Sequence, residues 1–148
     1  MTEALTLYER LGAEAGVLEL VTRFYDEMDN NSDARLIRDK HASNLNPSRV
    51  KLFEYFSGWF DGPPLFVDKY GHPRLRARHK HIEIGLQDRH IWLHCLTKAL
   101  DEMDIPADLR GDLLEKITPM ADHMRNVKEE AKEEVPEAAR EKQNLIRP

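Results

Sequence analysis

Residues 46–64 read NPSRVKLFEYFSGWFDGPP, and this stretch holds a helix start, a helix body and a helix stop in succession. Asn46 is a cap-type residue, and Pro47 suits the first helical position, where a missing N–H costs nothing. Val50, Leu52, Phe53, Tyr55, Phe56, Trp59 and Phe60 make the body strongly apolar. Asp61-Gly62-Pro63-Pro64 ends it, because two prolines withhold donors and glycine tolerates the exit geometry.

The same helical spacing recurs on both sides of this stretch. Upstream, Val17, Leu20, Val21, Phe24 and Met28 form one apolar stripe over residues 14–29, before the turn-forming run Asp29-Asn30-Asn31-Ser32. Asp33 to Arg38 predicts one or two helical turns, and Asp39 to Asn46 a loop that carries His41. Downstream the pattern predicts a loop after the prolines, then a short basic helical segment from Arg74 to Lys80 led by His72-Pro73. Residues 87–103 place Trp92, Leu96, Ala99, Leu100 and Met103 on one face. Pro106 opens a last long helix with Leu113, Leu114, Ile117, Met120, Ala121 and Met124, which Pro119 is expected to kink. No strand-like alternation and no internal repeat is present, so the fold class is all-α. Residues 1–127 are expected to form the domain. Residues 128–148, KEEAKEEVPEAAREKQNLIRP, read as a flexible charged extension.

Composition narrows the function classes. The chain has 148 residues with 41% hydrophobic and 33% charged, which suits one water-soluble core and excludes both a disordered chain and a membrane bundle. A formal net charge of −5 gives no basic footprint for nucleic acid or for anionic membranes. Cys95 is the single cysteine, so neither an internal disulfide nor a thiolate zinc cluster is available. MTEALTLYERLGAEAG lacks the basic start and apolar run of a signal peptide, and the expected location is cytoplasmic.

No glycine-rich phosphate cradle, nucleophile elbow or His-Glu-x-x-His helix occurs. The densest chemistry lies in Tyr70-Gly71-His72-Pro73-Arg74-Leu75-Arg76-Ala77-Arg78-His79-Lys80-His81. Arginines spaced by two fan around a helix and reach toward a dianionic ligand. A histidine among such cations is kept neutral, the form that ligates a metal. By periodicity alone, Tyr25 and Trp92 read as ordinary core packing.

Arg78-His79 after His72-Pro73-x-Leu75-Arg76, the spacing to Arg89-x-x-Trp92-Leu93-x-Cys95-Leu96, the pair Phe24-Tyr25 and Gly62-Pro63-Pro64 together carry a resemblance. In this combination the chain resembles the truncated haemoglobins, and within them the second group, from about Leu7 to Asn126. The resemblance implies a two-over-two helical sandwich around haem b, with His79 as the proximal iron ligand. It implies Tyr25, His41 and Trp92 as the distal polar groups, Leu52, Phe56, Leu75 and Ile82 as wall, and Lys51 and Arg78 as cationic rim. Ser48 takes a small gate position.

The ligands implied are dioxygen, carbon monoxide and nitric oxide. A role in removing nitric oxide or peroxide, served by a separate reductase, follows as an expectation for a monomer or homodimer. The chain departs from the family after His79, where Lys80-His81-Ile82-Glu83 replaces an apolar residue, proline and an aromatic, so that loop is expected to sit differently. His90, His94 and His123 receive no role. The competing reading is a haem-free globin-like sensor or interaction module, which leaves Tyr25 and Trp92 as buried donors in need of other partners.

Overall fold

The computed structural model describes residues 4–127; the extension expected at 128–148 lies outside the described residues. Thr6 opens α1 (Leu7–Leu11) with a capping box, its hydroxyl accepting the Glu9 N–H at 3.1 Å while the Glu9 carboxylate accepts the Thr6 N–H at 3.0 Å. Gly12, at φ +112°, turns the chain directly into α2 (Ala13–Asn30). Val17, Leu20, Val21 and Phe24 of α2 are fully buried, as the apolar stripe requires. A single 3-10 turn (Ser32–Ala34) and the one-turn α3 (Arg35–Arg38) lead into the loop that holds His41. There follow α4 (Asn46–Trp59), α5 (Leu65–Tyr70), α6 (Leu75–His79), α7 (Leu86–Glu102) and α8 (Ala107–His123).

The expected all-α class holds, and no strand occurs among the described residues. Helix α2 packs on α4 and on α7, α7 packs on α8, and α1 returns to α8. The pair α2 and α4 thus lies against the pair α7 and α8, which is the two-over-two arrangement. Leu96 and Leu100 of α7 and Leu113 and Ile117 of α8 are fully buried, and Phe56 stacks on Phe60 with ring centroids 4.9 Å apart. Helix α6 buries no residue of its own, so it stands off this core.

Two local expectations are corrected. The segment after Pro63-Pro64 is helical (α5) where loop is predicted, because Phe66 is buried with its ring edge-on to Tyr55 at 6.1 Å. Leu45, not Asn46, takes the cap position of α4; Asn44 supplies the turn, its side-chain oxygen accepting the Asn46 N–H at 3.1 Å. Helix α8 continues through Pro119 to His123.

The start of α2 depends on Gly16. A Cβ there would overlap the backbone carbonyl of Leu11, and backbone yields less readily than a flexible side chain. Gly16→Ala is therefore expected to destabilise the fold by about 1–3 kcal/mol, the usual range for overpacking. Circular dichroism melting should show Tm lowered by several degrees, and an unchanged Tm would mean that α1 shifts without cost.

Candidate functional site

Because α6 stands off the core, a cavity of about 600 Å³ remains between α4, α6 and the first half of α7, reached by Met120 and Met124 from the end of α8. That volume falls in the usual range for cofactor sites, roughly 300–1,000 Å³.

His79 is the last residue of α6 and is half-buried on the cavity. Its Nδ1 lies 2.8 Å from the Leu75 carbonyl one turn back. A carbonyl only accepts, so Nδ1 carries the proton and the neutral ring leaves Nε2 with a free lone pair. Burial holds this imidazole below its ordinary pKa, against the Leu75 hydrogen bond, and the charges of His81, His41 and Arg78 add to the lowering. His79 is thus neutral at pH 7, the state a metal ligand needs.

Tyr25 reaches the same cavity from α2. Its hydroxyl donates to the Ser48 carbonyl at a long 3.4 Å, and burial pushes the phenol above its ordinary pKa although Arg49 works the other way. It therefore stays a protonated donor. Trp92, on α7, sets its ring 4.9 Å from Phe24, and its indole N–H makes no hydrogen bond among the described residues. His41 meets Tyr25 edge-on at 6.1 Å, with its Nδ1 2.7 Å from the Ile37 carbonyl. That contact occupies Nδ1 and leaves Nε2 on the cavity side of the ring.

Leu52, Leu75 and Ile82 line the cavity as expected, but Phe56 does not. Successive residues on a helix point about 100° apart, and it is Tyr55 that faces the cavity while Phe56 is fully buried behind it. Burial also pushes the Tyr55 phenol up to about 12. Lys51 and Arg78 stand at the exposed edge. Lys51 Nζ lies 5.7 Å from the Tyr70 ring, and Arg78 Nε donates to the Pro73 carbonyl at 2.6 Å. A bare imidazole nitrogen, an apolar wall and two cations at one edge suit an apolar macrocycle with carboxylates, so this residue set fits haem.

Residues 6–126 match the family of bacterial-like globins. The chain is a bacterial-like globin. It is 30% identical to the group 2 truncated hemoglobin YjbI of Bacillus subtilis (strain 168) over 119 residues, 80% of this chain and 87% of that one. The cold-adapted truncated hemoglobin of Pseudoalteromonas haloplanktis is similar in structure at TM-score 0.81 and 41% identity, covering 84% of this chain and 100% of that one. The group II 2-on-2 hemoglobin of Agrobacterium tumefaciens gives 0.82 and 39%, covering 86% and 98%. The globin is accordingly a haem-based oxygen-binding protein of truncated globin fold. No helix among its described residues is long and apolar enough to cross a membrane.

Sequence reasoning missed how the segment after His79 is held. The Asn126 amide donates to the carbonyls of Ile82 at 2.7 Å and His79 at 3.2 Å, and its oxygen accepts the Ile84 N–H at 2.8 Å. This buckle fixes the segment that joins α6 to α7. Nothing in local spacing links positions 47 residues apart.

The His79 environment yields a measurable titration. In the haem-free globin its ring should titrate below about 6.5, the ordinary imidazole value. The unfolded chain then binds the proton more readily, so the destabilisation from His79 is absent well above pH 6.5 and grows as pH falls through 6.5 toward the folded value. Histidine NMR, with His79→Gln to assign the signal, checks the midpoint; a value above 6.5 contradicts the burial argument.

Proposed function

We propose that this globin holds haem b through His79 Nε2 and retains dioxygen through hydrogen bonds from Tyr25 and Trp92. The observation that carries the reading is one apolar cavity that receives a neutral imidazole with its Nε2 bare and an indole N–H without a partner among the described residues, together with a phenol in only a long hydrogen bond. When bound, haem supplies a ferrous iron with a coordination position open to dioxygen, carbon monoxide or nitric oxide.

The chain's own groups do the rest. Leu75 holds the His79 ring in the tautomer that offers Nε2. Lys51 and Arg78 place positive charge at the exposed edge, where propionate carboxylates belong. Leu52, Tyr55 and Ile82 exclude water from the interior of the cavity. Trp92 can only donate, and Tyr25 donates by turning its O–H from Ser48. A hydrogen bond to a charged acceptor contributes about 1.5–3 kcal/mol, so each donor slows loss of a partially negative ligand by roughly 10- to 100-fold.

Two such donors suit retention better than delivery. The similar Bacillus subtilis protein, 30% identical with TM-score 0.76, is described as an oxygen-avid truncated haemoglobin. Retention favours a redox task, removal of nitric oxide or peroxide with electrons from a separate reductase, over oxygen transport.

A visible spectrum of the haem-reconstituted globin tests this. One haem per chain is expected, with a Soret band that moves on dithionite reduction and again with carbon monoxide. His79→Ala should abolish stable uptake, and an unaltered ferrous carbon monoxide spectrum in that variant would overturn the ligand assignment. Tyr25→Phe and Trp92→Phe should each speed dioxygen dissociation by about tenfold or more in stopped-flow measurements. Unchanged rates in both would remove the donor argument.

A further inference from the structure

Lys40 and His41 are adjacent in the loop after α3, yet their side chains serve different partners. The Lys40 ammonium donates to the Asp88 carboxylate at 2.8 Å and to the Glu83 carbonyl at 2.6 Å, crossing from this loop to the start of α7. Asp88 is only 4% exposed, and its other oxygen accepts the Gly85 N–H at 2.8 Å, which caps α7. An exposed ion pair contributes little. Here the carboxylate is dry, and two backbone bonds extend the pair at either end.

The placement joins two parts of the site. Asp88 and Trp92 lie four residues apart on α7 and so share a face. On the other flank of His41, Arg38 Nε pairs with Asp29 of α2 at 2.8 Å, and its terminal nitrogens hold the carbonyls of Ala42 at 3.1 Å and Ser43 at 3.0 Å. The His41 loop is thereby clamped to α2, which carries Tyr25, and to α7, which carries Trp92.

We propose that the Lys40–Asp88 pair is a tether that sets the spacing of the His41 loop from Trp92, making Lys40 and Asp88 positioning residues for the ligand-facing side of the cavity. This rests on the haem reading above. Removing either partner leaves a buried or half-buried charge uncompensated, and the loop relaxes toward solvent to rehydrate it.

The test uses full-length haem-loaded globin as wild type, Lys40→Met, Asp88→Asn and the double variant. Amide hydrogen exchange over residues 39–45 should rise in all three variants and stay unchanged in α8. Dioxygen dissociation should quicken by about tenfold in each single variant, and the double variant should be no worse than either, because the two changes break one coupling. The Fe–CO stretching band in resonance Raman should broaden or split as the cavity samples more than one arrangement.

Unaltered dissociation and an unaltered Raman band, even with faster loop exchange, would overturn the positioning role. So would Lys40→Met alone weakening haem uptake with Asp88→Asn silent, since Lys40 would then be a carboxylate partner of the cofactor. If Asp88→Asn fails to fold, Asp88→Glu serves instead, with the same shift in dissociation and Raman band expected. A wild type that takes up no haem overturns the haem reading and this inference together, whereas a loaded wild type with silent variants overturns the inference alone.

Discussion

Phe24 stands where the core ends and the cavity begins. It is fully buried on α2, and its ring lies 4.9 Å from Trp92 and 4.9 Å from Tyr25. Aromatic pairs in such tilted and edge-on arrangements contribute about 0.5–1.5 kcal/mol beyond their burial. The larger consequence is geometric. The apolar stripe of α2 must face α4 and α7, and once Phe24 is seated there, the next residue is rotated about 100° toward the cavity. The direction in which Tyr25 points is thus fixed by core packing, and the plane of the Trp92 indole by the ring it rests on.

A cavity of about 600 Å³ in so small a protein is an exception to close packing, and the chain supplies reasons why it does not collapse. Helix α6 brings no fully buried residue to the core and meets it only through half-buried Leu75, so little apolar surface pulls it inward. The segment beyond it is held by Asn126, and the opposite loop by Arg38 and Lys40. Charged Lys51 and Arg78 keep the mouth in water. Anything that binds the folded state alone stabilises it.

The long helices were legible because burial writes itself as period 3.6. Val17, Leu20, Val21, Phe24 and Met28 announce α2, and Leu113, Ile117 and Met120 announce α8. α1 and α5 span five and six residues, too short for a stripe, and are set by a capping box and by one buried ring. The resemblance implied Phe56 as wall while Tyr55 faces the cavity, for a related reason: in a run of apolar residues the pattern identifies a buried helix without saying which flank faces a cavity. His79, Tyr25, His41 and Trp92 were legible as a set only through several motifs in order. Lys40, Asp88 and Asn126 were not legible, because each acts by hydrogen bonds across more than 40 residues of chain that no local spacing records.

Two histidines in this cavity obey one local rule with different outcomes. His79 and His41 each direct Nδ1 to the carbonyl four residues back and so each expose Nε2. Neutral His79 is therefore a ligand and not a donor, and each histidine spends its Nδ1–H on its own backbone. That leaves the indole N–H of Trp92, held by packing on Phe24, and the phenol O–H of Tyr25, which can rotate. Tyr25 already has an acceptor at Ser48, but 3.4 Å is long for an O–H bond, and the weaker that bond, the less it costs to turn the proton elsewhere. Donation into the cavity is accordingly divided between a fixed group and a turning one, with the indole pre-organised and the phenol in competition with the backbone of α4.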